Sequence, residues 1–396
     1  MKQALIVTYY AGANYGAFWQ AYGIGKYIEK CGFNVNYLRH NEMQEELSSG
    51  KNEYERTKNK AILEEINKSF DLTDDLKTKY DLVILGSDEI WNRTSAIKRE
   101  YRQYWGQGIK ATNKISYAPC AINTSWKRLI FKIPALKNLD GISVRDIQTS
   151  NTIKKIIGKE VPIVLDPTFL ISYEFVNKPL IEGEYLLIYS YGLIDKQIKV
   201  VKNYAKEKKL KIVVSGHNAD WADYNPACSP KEWLSLFKYS NLVFTTTFHG
   251  TVFSIIFEKN FLLLGNNVKA VSLLDEFDLT DHICNDCEQI SEKIVNNIDY
   301  NILNGMKTKM LGDSLYYLNS FSLNYGDNGI PKLTFNKDEC CGCTACYSIC
   351  PKGAIIMSSD EEGFLYPMIN ADRCIKCHKC LNVCSFKVEQ GRIFKR

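Results

Sequence analysis

Nine of the fourteen cysteines in this 396-residue chain fall between Cys340 and Cys384, in the runs CCGCTACYSICP and CIKCHKCLNVC. Counted from Cys340 and from Cys374, each run reads Cys-x2-Cys-x2-Cys-x3-Cys. Thiolates at that spacing suit an iron–sulfur cluster. A structural zinc site uses four ligands in paired CxxC knuckles, so the third cysteine of each run argues against zinc. The other chemically suggestive stretch is residues 242–257, LVFTTTFHGTVFSIIF. Its period changes from that of a buried strand to that of a helix, and His249 and Gly250 stand at the change. A histidine there can act as acid or base near neutrality, and a helix start offers N–H groups to an anion. Thr246, Thr247 and Thr251 supply capping hydroxyls.

These residues need a frame. Residues 3–9, QALIVTY, read as a buried strand, and the following loop opens an amphipathic helix that stops at Gly32. Small residues at Gly12, Ala13 and Gly16 let a ligand approach the backbone, which makes Asn14, Tyr15 and Gly16 candidate binding residues. NVNYLRH is a second strand, followed by a polar helix over residues 51–70 whose sparse apolar face predicts a peripheral position. The strand at 81–85 runs into GSDEIWNR and sets Asp88, Trp91 and Asn92 at a strand end, where ligands bind in α/β sheets. A carboxylate, an indole and an amide together suit a sugar: Trp91 stacks on the ring, Asn92 takes hydroxyl hydrogen bonds, and Asp88 serves as base toward the acceptor hydroxyl. KISYAPC, GISVRD and VPIVLDP continue the alternation, and Asp166 and Pro167 mark its exit.

A second alternation follows with YLLIYSYG, LKIVVSGHN, a helix in SPKEWLSLFKYS, the 242–257 stretch, and FLLLGNN, which completes the sheet. The fold class is therefore α/β: two Rossmann-like domains, GT-B-like, over residues 1–170 and 171–325, with a cleft between them. The helical tail from 290 to about 320 has room to pack back across the first domain. A small α+β domain at 331–388 carries the cysteines, with GAIIMSSDEEGFLYPMIN as a hairpin between the runs. Hydrophobic residues make up 45% of the chain and charged ones 24%, enough to bury several cores and without a disordered bias. A net charge of +5 with no long basic run speaks against nucleic acid. No signal-peptide pattern and no transmembrane segment is evident. A cytoplasmic location, peripheral to the inner face of the membrane, is expected.

Five motifs, NYGAFWQAYGIGKYI, GSDEIWN, ISVRD, VLDPTFLI and FHGTVFSIIFEKNF, resemble in order and separation those of the polysaccharide pyruvyl transferase family over roughly residues 1 to 320. The resemblance implies transfer of a pyruvyl group from phosphoenolpyruvate to a sugar of a cell-surface glycan or its lipid-linked precursor. His249 matches the family's motif histidine and is the candidate acid. Characterised members resemble an Arg-x-His pattern where this chain has Thr247, Phe248 and His249, so the arginine is missing locally. Thr247 and Gly250 still line the donor site, and Arg93, Arg145, His217 or a lysine must bring the charge from elsewhere.

The cysteine runs resemble the bacterial two-cluster ferredoxin, which implies two [4Fe-4S] clusters. In that arrangement Cys340, Cys343, Cys346 and Cys384 hold one, and Cys374, Cys377, Cys380 and Cys350 hold the other. Pyruvyl transfer moves no net electrons, so a flavoprotein or other redox partner is implied for the clusters. An alternative is an electron-transfer subunit whose transferase-like part binds another anionic or activated-sugar ligand.

Overall fold

The computed structural model describes residues 1–40, 47, 50–92, 101–286, 289–293, 297–322, 330–331, 333, 340–360, 362–375, 377 and 379–384. Arg93 lies outside the described residues. Six parallel strands form the first sheet: β1 Lys2–Val7, β2 Phe33–Leu38, β3 Leu72–Thr73, β4 Lys79–Leu85, β5 Lys110–Ser116 and β6 Gly141–Ile142, in the order β3-β2-β1-β4-β5-β6. Leu5 of β1 stands between Asn36 and Val83. Ala4 to Val7 and Leu82 to Leu85 are buried on both faces, which fits the middle of a parallel sheet covered by helices. The expected strand in VPIVLDP is not one. The segment is extended but makes only an isolated bridge, Val144 to Ile163, because Pro162 and Pro167 have no N–H for a ladder.

The second sheet is also parallel: β7 Tyr185–Tyr189, β8 Lys211–Ser215, β9 Leu242–Thr245, β10 Phe261–Leu264 and β11 Ile283–Cys284, in the order β11-β10-β9-β7-β8. FLLLGNN supplies β10 but does not complete the sheet, since β11 pairs outside it. Strand order reverses between β1 and β4 in the first lobe and between β7 and β9 in the second. The loops leaving those four strands flank the two crevices in which such sheets bind ligands.

The lobes are packed together rather than separated by an open gap. Tyr15 stacks on Trp233 with ring centres 5.1 Å apart, and Trp19 donates from its indole to the Pro230 carbonyl at 3.2 Å. Phe253 and Tyr173 add edge contacts, so the buried apolar cluster is continuous across both sheets. The Glu53–Ser69 helix, expected to be peripheral, belongs to this junction. Its Tyr54 hydroxyl accepts from the Gly216 amide at 3.2 Å, buried Lys58 donates to the Gly216 carbonyl at 3.0 Å, and Glu65 pairs with Lys231 at 2.8 Å. The apolar stripe is sparse because the polar residues beside it find partners on the other lobe.

The Tyr300–Ser322 helix packs back as expected. Tyr300 donates to Lys259 O at 2.7 Å on the second lobe, whereas Ser314 accepts from Leu165 N at 2.9 Å and Tyr317 donates to Ser116 O at 2.8 Å on the first. Gly141 has no side chain because a Cβ there would lie 2.4 Å from the Phe321 ring. In the cysteine-rich region, β12 Ile355–Ser359 and β13 Leu365–Ile369 pair antiparallel, giving the hairpin expected between the runs. Among the described residues no helix is long and apolar enough to cross a membrane.

Candidate active site

β9 ends at Thr245, and Thr247 caps the Phe248–Ile256 helix by accepting from the Gly250 amide at 2.9 Å. Gly250 must be glycine because a Cβ would sit 2.0 Å from the Thr245 hydroxyl. Capping fixes His249 in the first turn, aimed at the first lobe. Gly16, in the first turn of the Tyr15–Lys30 helix, lies directly against the ring: a Cβ there would approach Nδ1 to 2.0 Å. His249 therefore joins the switch points of both sheets, but it is enclosed, with 6% of its surface exposed.

Arg145, just past β6, reaches the same place. Its Nη1 donates to Asp166 Oδ2 at 2.9 Å, and that oxygen is 3.8 Å from His249 Nε2. Its Nη2 lies 3.9 Å from Asp88 Oδ1, and its guanidinium carbon sits 4.3 Å from the centre of the Phe248 ring. Asp166 is itself held by Thr168, which donates from both its amide and its hydroxyl. Asp88 adopts a left-handed backbone, φ 68°, a strained setting for a non-glycine residue and one found at functional turns. Lys269 of the second lobe pairs with Glu89 of the first and also approaches the Phe248 ring, at 5.9 Å. Among the described residues, Arg145 Nη2 and His249 Nε2 are buried without a hydrogen-bond partner.

Burial pulls the His249 imidazole down to about 4, against the upward push of Asp166 and Asp88. The ring is neutral at pH 7. Burial alone would raise Asp166, but the protonated form of His249 and the Arg145 guanidinium hold it below its ordinary value. Glu276, which lines a small cavity with Arg145, Asp166, Phe248 and Lys269, is raised to about 7 by burial and then by Asp146 and Asp275. It is the carboxyl of this cavity that holds a proton near neutrality.

The other candidates divide. Arg145 meets His249, and Asp88 stands beside Arg145. Trp91 does not face a ligand: it is fully buried, stacked on Trp105 at 5.2 Å, and donates to Tyr104 O at 3.0 Å. That corrects its expected place under a sugar and makes it the anchor of the Asp88 loop. Tyr15 is likewise taken up by the interlobe junction, donating to Cys228 O at 2.7 Å. Asn14 caps its helix by accepting from Gly16 N at 2.9 Å. Asn92 donates to Glu89 at 2.6 Å and accepts from Thr124 at 3.0 Å. His217 bonds Ser190 O at 3.0 Å and is half-buried beside the Lys58 junction. Asn14 and Asn92 remain partly exposed.

Sequence reasoning missed Asp166 as a ligand of Arg145, and with it Glu89, Lys269, Glu276 and Tyr191. Tyr191 follows β7, is 56% exposed, and shares a 3.3 Å hydroxyl contact with Tyr189. Desolvation of its hydroxyl raises it to about 12, with Asp88 adding to the rise. Asp166 had a signal in VLDPTFLI, and Lys269 in its place just after β10. Tyr191 had the same signal at the end of β7.

In the cysteine-rich region the Cys346 thiol is raised by burial and then by Cys384, Cys340 and Cys343. Cys380 is raised to about 11, by burial and then partly by Cys377 and Cys374. Cys346 and Cys380 are the buried thiols of the two runs. Backbone amides reach two of them, Gly342 N to Cys340 Sγ at 3.4 Å and Ala354 N to Cys350 Sγ at 3.2 Å. Such N–H contacts to sulfur tune iron–sulfur centres. Among the described residues no three His, Cys, Asp or Glu side chains are drawn in as a finished metal site. The eight thiols by type and spacing fit two four-iron centres.

A polysaccharide pyruvyl transferase domain matches residues 14–268, and a 4Fe-4S dicluster domain matches residues 339–388. An uncharacterized ferredoxin of Methanocaldococcus jannaschii is 40% identical over 35 residues, which are 9% of this chain and 46% of that protein. The chain therefore spans less than half the length of that relative. Among solved structures, the UDP-GlcNAc 2-epimerase of M. jannaschii in complex with UDP-GlcNAc and UDP is 12% identical. It covers 80% of this chain and 100% of its own, with a TM-score of 0.46. A functional uncharacterized protein of Klebsiella pneumoniae subsp. pneumoniae is 11% identical over 72% of this chain and 94% of its own, with a TM-score of 0.42.

Proposed function

The chain belongs to the polysaccharide pyruvyl transferase family, and from that premise we propose that it moves the pyruvyl group of phosphoenolpyruvate onto two hydroxyls of a sugar in a cell-surface glycan or its precursor. The observation that carries this reading is the pair of buried nitrogens without a hydrogen-bond partner, Arg145 Nη2 and His249 Nε2, on two side chains that both approach Asp166. Arg145 supplies in space the cation that the Thr247-Phe248-His249 segment lacks in sequence. The methylene carbon of the enol takes a proton, a sugar hydroxyl adds to the cation on the neighbouring carbon and gives up its proton, the C–O bond to phosphate breaks, and the second hydroxyl, also losing its proton, closes the ketal on that neighbouring carbon. Tyr191 replaces Trp91 as the aromatic platform for the sugar.

Charge sets a condition on donor binding. Asp88, Glu89 and Asp166 outnumber Arg145 and Lys269 by one. A highly anionic donor therefore enters with a proton, taken up by His249 as the phosphate lifts its depressed pKa. Glu276 already holds a proton near neutrality and is the second candidate acid. Calorimetry at pH 7 in two buffers of different ionisation enthalpy should reveal proton uptake on phosphoenolpyruvate binding, and His249→Gln should lose it. At a hundred times its Kd, the donor should stabilise the protein by about 2.7 kcal/mol. No thermal shift at any donor concentration refutes the donor assignment. His249→Gln or Glu276→Gln should lower turnover by about 10²- to 10⁴-fold, whichever is the acid.

The cysteine-rich domain is read as binding two [4Fe-4S] clusters, through Cys340, Cys343, Cys346 and Cys384, and through Cys374, Cys377, Cys380 and Cys350. When bound they supply one-electron transfer, for exchange with a flavoprotein-type partner. Anaerobic protein should be brown and carry about eight irons per chain.

A further inference from the structure

We propose that residues 125–138 of the first lobe are a docking surface for an anionic lipid bilayer. The segment is three short helical turns, Trp126–Leu129, Ile130–Lys132 and Ile133–Lys137. Leu129, Ala135 and Leu136 point inward and anchor it. The outward side chains are unusual for a protein surface. Phe131 is 87% exposed, with Trp126 and Ile130 exposed beside it. Lys127, Arg128 and Lys137 are exposed as well, and Lys132 lies over the Trp105 ring at 5.3 Å. From Ile122 to Leu139 the chain has these four cations and no acidic residue.

An aromatic and aliphatic apex ringed by lysine and arginine is the composition of segments that lie in the headgroup layer. The apolar side chains enter the acyl boundary while the cations meet lipid phosphates. A protein partner fits less well, because interface cores are depleted of lysine. The surface also adjoins the site: Trp126 is two residues beyond Thr124, whose hydroxyl donates to Asn92 at 3.0 Å. This inference does not depend on the transfer chemistry.

The test uses the full chain, purified anaerobically with its clusters, sedimented with phosphatidylcholine vesicles with and without phosphatidylglycerol. Partition into the phosphatidylglycerol vesicles is expected at low salt and should weaken as salt is raised. Ile130→Ser with Phe131→Ser should lower it by about tenfold or more. Lys127→Gln and Arg128→Gln should each lower it about fivefold. All three variants should keep the parent melting temperature, since they change exposed side chains only. Absence of partition at low salt, or partition that none of the three variants reduces, overturns the proposal. Self-association that Phe131→Ser abolishes, without vesicle binding, assigns the surface to a second copy of the chain and overturns it too.

Discussion

His249 is neutral because it is enclosed, and that has a consequence for stability. His249 and His40 are both brought down to about 4 by burial, whereas an unfolded chain protonates them near 6.5. Between those values the unfolded state binds more protons, so stability is full above about pH 6.5 and is lost as pH falls toward 4. Each ring contributes on the order of 3 kcal/mol to that loss. Urea midpoints measured across the window should fall, and His249→Gln should flatten the curve; an unchanged slope in the variant means the ring is not buried in solution. Gly16→Ala forces a methyl into the imidazole. It should destabilise the protein by about 1 to 3 kcal/mol and reduce turnover at least tenfold while leaving the clusters intact. Wild-type activity in Gly16→Ala would show that the ring position does not matter to the reaction.

One helix at the site and one at the interlobe junction can be weakened separately. Thr247→Ala removes the cap on the Phe248–Ile256 helix and should cost about 1 kcal/mol. Lys58→Met leaves the Gly216 carbonyl unpaired in the interlobe junction and should cost about 1 to 3 kcal/mol in thermal unfolding. Full stability in Lys58→Met would remove the Glu53–Ser69 helix from the junction's supports. The strands and the strand-to-helix change at His249 were legible in the sequence because parallel strands are continuous apolar runs that end abruptly at glycine and polar residues. The Cys-x2-Cys spacing was legible for a similar reason: local geometry dictates it. What was not legible is long-range. Trp91 reads the same whether it meets a sugar or Trp105, since only tertiary packing separates the two. Arg145 and Asp166 are 21 residues apart, and nothing in either segment announces that they share an ion pair. The sparse stripe of the Glu53–Ser69 helix gave the wrong expectation because the partners of Lys58 and Glu65 lie on the other lobe.

At the scale of the whole molecule the chain has parts of unequal self-sufficiency. Both sheets share one apolar cluster, while the cysteine-rich region has among its described residues only Leu333, Cys346, Ile355 and Cys380 at its core. A core so small needs its clusters to fold. Removing iron should therefore abolish one calorimetric transition and leave the other, and Cys346→Ala should lower iron by about four per chain if the second centre survives. A single transition unaffected by iron would contradict that division. The returning helix carries a different implication. Gly141 ends the first sheet, yet the ring that covers it, Phe321, emerges from the ribosome 180 residues later. At about 5 to 20 residues per second, the edge strand β6 waits roughly ten to forty seconds for its cover. The lobe translated first is finished last, and a nascent chain stalled before Tyr300 leaves the sheet face over Gly141 uncovered.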